Sequence, residues 1–172
     1  MKLWSAFVVP PSLPEPKIMA FESPDTASVQ RVITVHCAIA TAFRVWTEQI
    51  DIWWPKNHSR SGDPNTVVVL EGRVGGRLYE RDSAGREYHW GEIVAWEPPQ
   101  RLVYHWYLGS SPEQPSLVVI TFHAEAPTRT RVEVVHRGPE LIGERWPIAS
   151  PIFHAAYGHL LPAFAAACAG QL

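Results

Sequence analysis

Cysteine is scarce in this chain: only Cys37 and Cys168 occur in 172 residues. Neither stands in a CxxC or Cys/His ligand spacing. That excludes a disulfide scaffold and the usual zinc sites, and it predicts a reduced, cytoplasmic protein. An excess of one charge is missing too. The net charge is −2, with both signs interspersed, so the basic stripe that a phosphate backbone requires is absent and no nucleic-acid partner is expected. No apolar run approaches the ~20 residues of a spanning helix, which predicts no membrane span. The chain has no GxSxG, P-loop or GxGxxG motif, and no HExxH. Gly72, Gly75 and Gly76 mark a turn rather than a phosphate loop, because no helix follows them. No cofactor and no metal site are therefore expected, and no catalytic residue is assigned.

Proline is concentrated near the N-terminus, where residues 10–16 read PPSLPEP. Residues 1–27 form a proline-rich N-terminal extension in this reading. The apolar stretch Leu3 to Val9 lacks the A-x-A site of a signal peptide. It is too apolar to stand free in water, so it is expected to lie on its own domain or on a second copy, the latter making a homodimer. Met19 offers an alternative start. Residues 28–172 are read as one domain, and a chain of about 150 residues buries nearly 70% of its unfolded surface without staples.

Within that domain the pattern is mostly β. Residues 28–36 (SVQRVITVH) alternate and are β-rich. Apolar residues at 39, 42, 43 and 46 predict a helix over 39–48, and a second short helix runs from Gln49 to Trp54 before Pro55. A polar loop, 56–65, follows. Six further strands are predicted near 66–71, 77–81, 87–96, 101–107, 116–124 and 130–137. Asp82-Ser83-Ala84-Gly85 is a hairpin turn, and Glu97-Pro98-Pro99-Gln100 stops the fourth strand. The last element is a long helix, with Ser150 as N-cap and Pro151 at its first position. Phe153, Tyr157, Leu160, Leu161, Phe164 and Cys168 form its buried stripe. Pro162 predicts a kink, because its ring meets the carbonyl of Gly158. The fold class is thus α+β, a seven-stranded antiparallel sheet curved around a long C-terminal helix, with two short helices after the first strand.

This order resembles the START-like (SRPBCC, helix-grip) superfamily, in the branch related to the Hsp90 ATPase activator. The residues that carry the likeness are Ala42-Phe43 to Trp46-Thr47, Trp53-Trp54-Pro55, Gly75-Gly76-Arg77 and Asp82 to Arg86. They continue with Gly91-Glu92-Ile93, Pro98 to Trp106, Thr130 to Glu133 and His136-Arg137-Gly138. The likeness spans about residues 28–169. The family pattern usually has Gly-Trp on the last helix, where this chain has Gly158-His159. The resemblance implies a sheet gripping the C-terminal helix, with an apolar cavity between them.

Strand parity names the wall of that cavity. Leu102, Tyr104 and Trp106 share one face, as do Val118, Ile120 and Phe122, and Val132, Val134 and His136. The candidate ligand-binding residues are Trp53, Trp54, Tyr104, Trp106, Phe122, Val134, His136 and Tyr157. His136 reads as a core histidine bonded to a backbone carbonyl or to Tyr104, or as a ligand donor or general base. His105 and His123 fall on the opposite parity, so the three histidines do not converge on a metal. The strand glutamates Glu71, Glu80, Glu92 and Glu133 are expected to be solvated or paired with arginines. The predicted function is binding of a small apolar or aromatic molecule. The alternatives are a cyclase- or lyase-type enzyme using a cavity His or Glu, and a co-chaperone-type protein-interaction module.

Overall fold

A computed structural model describes residues 28–170. The proline-rich extension, its apolar segment and Met19 lie outside the described residues. The order is β1 (Ser28–Val35), α1 (Ile39–Thr47), α2 (Ile50–Trp53), β2 (Val67–Leu70), β3 (Arg77–Arg81), β4 (Glu87–Glu97), β5 (Arg101–Ser111), β6 (Gln114–Ala126) and β7 (Arg129–Arg137). A short helix α3 (Pro139–Ile142), a 3₁₀ turn (Gly143–Arg145) and the long helix α4 (Trp146–Ala169) complete it. The seven strands form one antiparallel sheet in the order β1-β7-β6-β5-β4-β3-β2.

Local chemistry sets the turns. The Asp82 carboxylate accepts the backbone N–H groups of Ala84 and Arg86 with one oxygen. Its other oxygen accepts Arg86 Nε–H and the Tyr88 hydroxyl. Gly85 closes this hairpin at φ 81°, a conformation that an L side chain resists. Ladder irregularities fall at Leu78/Tyr79, Ile93/Ala95, Trp106/Ser111 and Ala124/Ala126. Bulges of this kind add twist and bend, so the sheet curls around the helix instead of lying flat. Gly91 is required within β4, because a Cβ there would run into the His105 carbonyl of β5.

The inward faces of β5, β6 and β7 are those that alternation predicts. Leu102, Tyr104, Val118, Ile120, Phe122, Val132, Val134 and His136 are all buried. For β1 and β4, whose two faces are both apolar, the structure decides: Val29 and Val35 point inward while Val32 is exposed, and Trp90 and Ile93 are buried while Val94 is exposed.

The last helix departs from expectation at its start. It begins at Trp146, not after Ser150, with Pro147 in its first turn and Pro151 inside it. Pro147 fills the position where a missing N–H costs nothing, and the helix continues as a helix through Pro162. Together with α3 it forms an apolar stretch, Glu140–Ala169, long enough by length and composition to cross a membrane. The stripe Tyr157, Leu160, Leu161, Phe164 and Cys168 is buried within the domain, so this is the gripped core helix. Its C-terminal end brings the buried Cys168 close to the buried Cys37 of the loop after β1. Burial pushes both thiols up, which keeps them unreactive.

Candidate functional site

Where α4 crosses the sheet it leaves a cavity of about 220 Å³. The two short helices contribute Trp46, Trp53 and Trp54, and the following loop adds His58 and Ser59. β5 supplies Tyr104, Trp106 and Leu108, and β7 supplies His136. α4 closes the other side with Ile152, Phe153, Ala156, Tyr157 and Leu160. Ile152 is largely exposed, so it stands where the cavity meets solvent.

The aromatic wall is held rigid by its own polar edges. Trp53 Nε1–H donates to the Val45 carbonyl at 2.8 Å, and Trp54 Nε1–H to the His58 carbonyl at 2.9 Å. The second bond also fixes the loop residue His58 beside the cavity. Trp54 packs on both Trp90 and Trp106, with ring centroids 5.3 and 6.0 Å away. Such tilted pairs are rigid, large-area surfaces for stacking.

One corner is polar. His136 is buried, and its ring lies 4.0 Å from that of Phe153 at an interplanar angle of 24°. Its Nε2 is 2.7 Å from Ser116 Oγ and its Nδ1 is 3.2 Å from the Tyr157 hydroxyl. Ser116 Oγ also donates to the Trp106 carbonyl at 3.2 Å. Burial lowers the His136 pKa to about 3, so the ring is neutral. Burial likewise raises the Tyr104 and Tyr157 phenols, Tyr157 further through its nearness to Tyr104. His58 is lowered by burial and by the charge of His159; their rings are 6.0 Å apart. The unusual His159 of the last helix thus sits beside the cavity's loop.

The structure brings together six of the eight candidates: Trp53, Trp54, Tyr104, Trp106, His136 and Tyr157. Phe122 and Val134 do not line the cavity, which corrects that expectation. Parity placed them on the right face, but a face is long. The cavity lies at the end of the sheet where Trp106 pairs with Ser116. Phe122 pairs with Val132, further along, and packs against Phe43 and Trp46. His136 is bonded to Ser116 and Tyr157, not to a carbonyl or to Tyr104. Ser116 was legible as the next residue on the Val118–Phe122 face. His58 and Ser59 came from a polar loop with no pattern to read.

The strand glutamates divide. Glu71 pairs with Arg77 and Arg73, and Glu133 with Arg131. Glu80 does not: it is fully buried and accepts the backbone N–H groups of Arg60 and Ser61. It therefore holds the loop that carries His58 and Ser59. Glu80→Ala leaves those amides bare and is expected to lower stability by about 2–4 kcal/mol. Glu80→Gln, which keeps one acceptor oxygen, should lose less. Urea midpoints of the three proteins measure this. Among the described residues no group of three His, Cys, Asp or Glu is placed to hold a metal.

Comparisons with known proteins show the fold and the family. An anthrahydroquino-gamma-pyrone synthase, Txn09, is 30% identical, with a TM-score of 0.60 over 81% of this chain and 96% of that one. CalC, a self-sacrificing resistance protein from Micromonospora echinospora, is 26% identical, with a TM-score of 0.65 over 85% of this chain and 96% of that one. A Mesorhizobium loti protein at 19% identity and a TM-score of 0.59 shares the fold, covering 81% of this chain and 95% of that one. No curated protein sequence matches the chain. The family model described as activator of Hsp90 ATPase homolog 1-like protein matches residues 36–159. The chain belongs to the activator of Hsp90 ATPase homolog 1-like protein family, on the START-like helix-grip fold.

Proposed function

We propose that the protein binds a small apolar or aromatic molecule in the cavity between the sheet and α4. The observation that carries this is a largely aromatic wall with a few polar groups set in it, chief among them His136 and the hydroxyls bonded to it. Binding sites commonly combine an apolar lining with a few placed polar groups. An apolar cavity of about 150 Å³ holds benzene, so one of about 220 Å³ suits a ring system somewhat larger. One relative is named as the synthase of an anthrahydroquino-gamma-pyrone, a small aromatic molecule.

The second reading is an enzyme of the cyclase or lyase type. The synthase relative and the Tyr157–His136–Ser116 chain favour it. The electrostatics favour binding instead. A general base works best with a pKa near the working pH; His136 sits at about 3 and both phenols are pushed upward. Among the described residues no carboxylate lines the cavity.

Titration with naphthalene, followed by tryptophan fluorescence, tests the reading. The wild type should show a saturable change at one site, since Trp46, Trp53, Trp54 and Trp106 line the cavity. Ala156→Phe, which fills the space, should abolish it. An unsaturable change, or an equal one in Ala156→Phe, would sink the proposal.

A further inference from the structure

The polar corner has a direction. A backbone carbonyl only accepts, so the contact between Ser116 Oγ and the Trp106 carbonyl takes the serine's single hydrogen. Ser116 must then accept from His136, which places the imidazole proton on Nε2. Nδ1 is left as a lone pair, and the Tyr157 hydroxyl donates to it. Each group in this chain is used once: Tyr157 to His136, His136 to Ser116, Ser116 to the carbonyl. The consequence lies at the cavity end. Tyr157 has spent its hydrogen behind the wall and offers only oxygen lone pairs to a ligand.

Tyr104 complements it. Its side chain is buried and lines the same cavity. Among the described residues its hydroxyl has no hydrogen-bond partner, so its hydrogen is available to the cavity. A buried polar group without a partner favours a ligand that supplies one. Among the described residues no carboxylate or Lys/Arg cation lines the cavity; besides His136 and the two tyrosines, the titratable group in its wall is His58. A charged ligand would be desolvated there without compensation.

We propose that Tyr157 and Tyr104 form a subsite for the hydroxyl of a neutral hydroxylated aromatic molecule. The ligand O–H donates to the Tyr157 oxygen, and the ligand oxygen accepts from Tyr104. His136 lines the same cavity, and its part in this subsite is positioning: it accepts the Tyr157 hydrogen and so holds it away from the ligand oxygen. This rests on the binding reading above and adds the chemical class of the ligand.

Three probes of similar shape test it: 2-naphthol, 2-methoxynaphthalene and naphthalene, each titrated calorimetrically into the full chain. 2-Methoxynaphthalene accepts but does not donate, so it isolates the acceptor role of Tyr157. The wild type should bind 2-naphthol about tenfold more tightly than either of the others. Tyr157→Phe and Tyr104→Phe keep the ring volume and should leave naphthalene affinity little changed. Tyr157→Phe should erase the preference for 2-naphthol over 2-methoxynaphthalene, whereas Tyr104→Phe should weaken both oxygenated probes and leave that preference in place. His136→Leu should also erase the preference. His136→Gln, whose amide accepts from Tyr157 and donates to Ser116, should restore part of it; a role in packing alone predicts no such rescue. If naphthalene binds at one site but all three probes bind equally, the subsite is wrong and the cavity reading stands. If 2-methoxynaphthalene equals 2-naphthol, Tyr157 is not the acceptor and the proposal fails. If no probe binds, both readings fall. The Tyr→Phe pair decides the matter even if His136→Leu does not fold.

Discussion

Below pH 6.5 the domain is expected to lose stability with a slope approaching 1.4 kcal/mol per pH unit. The cause is His136, which burial lowers from the ordinary 6.5 to about 3. Between these values the unfolded chain binds a proton at this ring and the folded chain does not. The unfolded state therefore gains as pH falls, and the loss is complete only near pH 3. By pH 5 it amounts to about 2 kcal/mol. The carboxylates act lower on the scale. Glu71 is held down to about 2 by its hydrogen bonds with Arg77, and Asp82 and Glu87 are also depressed. Their contribution is present above their ordinary pKa and falls away beneath it. The interval from pH 6.5 to 5 thus isolates the histidines. His58, also lowered, adds a term of the same sign, so His58→Gln serves as the reference background. Urea midpoints at pH 7, 6 and 5 should slope steeply in that background and flatten when His136→Gln is added. Parallel slopes in the two would show that His136 is not the buried, neutral group described.

Trp46→Ala is expected to cost about 3–5 kcal/mol, the range for deleting a buried large aromatic side chain. At about 2–4 °C per kcal/mol for a domain of this size, the melting temperature falls by roughly 10 °C. Trp46 is buried, and its ring meets three others: Phe164 of α4 at 4.8 Å, Trp53 of α2 at 5.1 Å and Phe122 of β6 at 6.2 Å. It joins the short helices, the sheet and the long helix at one point. It also lines the cavity, so its removal enlarges the space that a ligand fills. Naphthalene affinity is expected to fall along with stability. Trp46→Phe should retain more than half of the lost stability. Thermal melts and calorimetric titration of both variants check this; a loss below about 1 kcal/mol would mean that the surrounding rings collapse into the space.

The order of the seven strands, the first two helices and the long last helix was legible in the sequence, because alternation and helical spacing are local signals; the short helix Pro139–Ile142, the 3₁₀ turn after it and the extension of β5 and β6 to Ser111 and Gln114 were not. The inward faces of β5, β6 and β7 followed from single residues such as Ile120 and Val132, whose neighbours are polar or half-buried. The hairpin at Asp82 to Gly85 was legible because aspartate and glycine each have one clear use there. The start of α4 was not, since Ser150-Pro151 is a good local start signal that loses to the burial of Trp146, four residues earlier. Glu80 was indistinguishable from its paired neighbours Glu71 and Glu133, because what sets it apart is a loop about 20 residues away in sequence. Six of the eight candidate residues line the cavity, and the two that do not were misplaced for a similar reason. Parity states which face a residue takes, and Phe122 and Val134 do face inward. Only the tertiary structure decided where along the curved sheet α4 stands off and where it packs tightly. That distance depends on the bulges, on the helix's course and on side chains from four separate segments, none of which is encoded within any one stretch of chain.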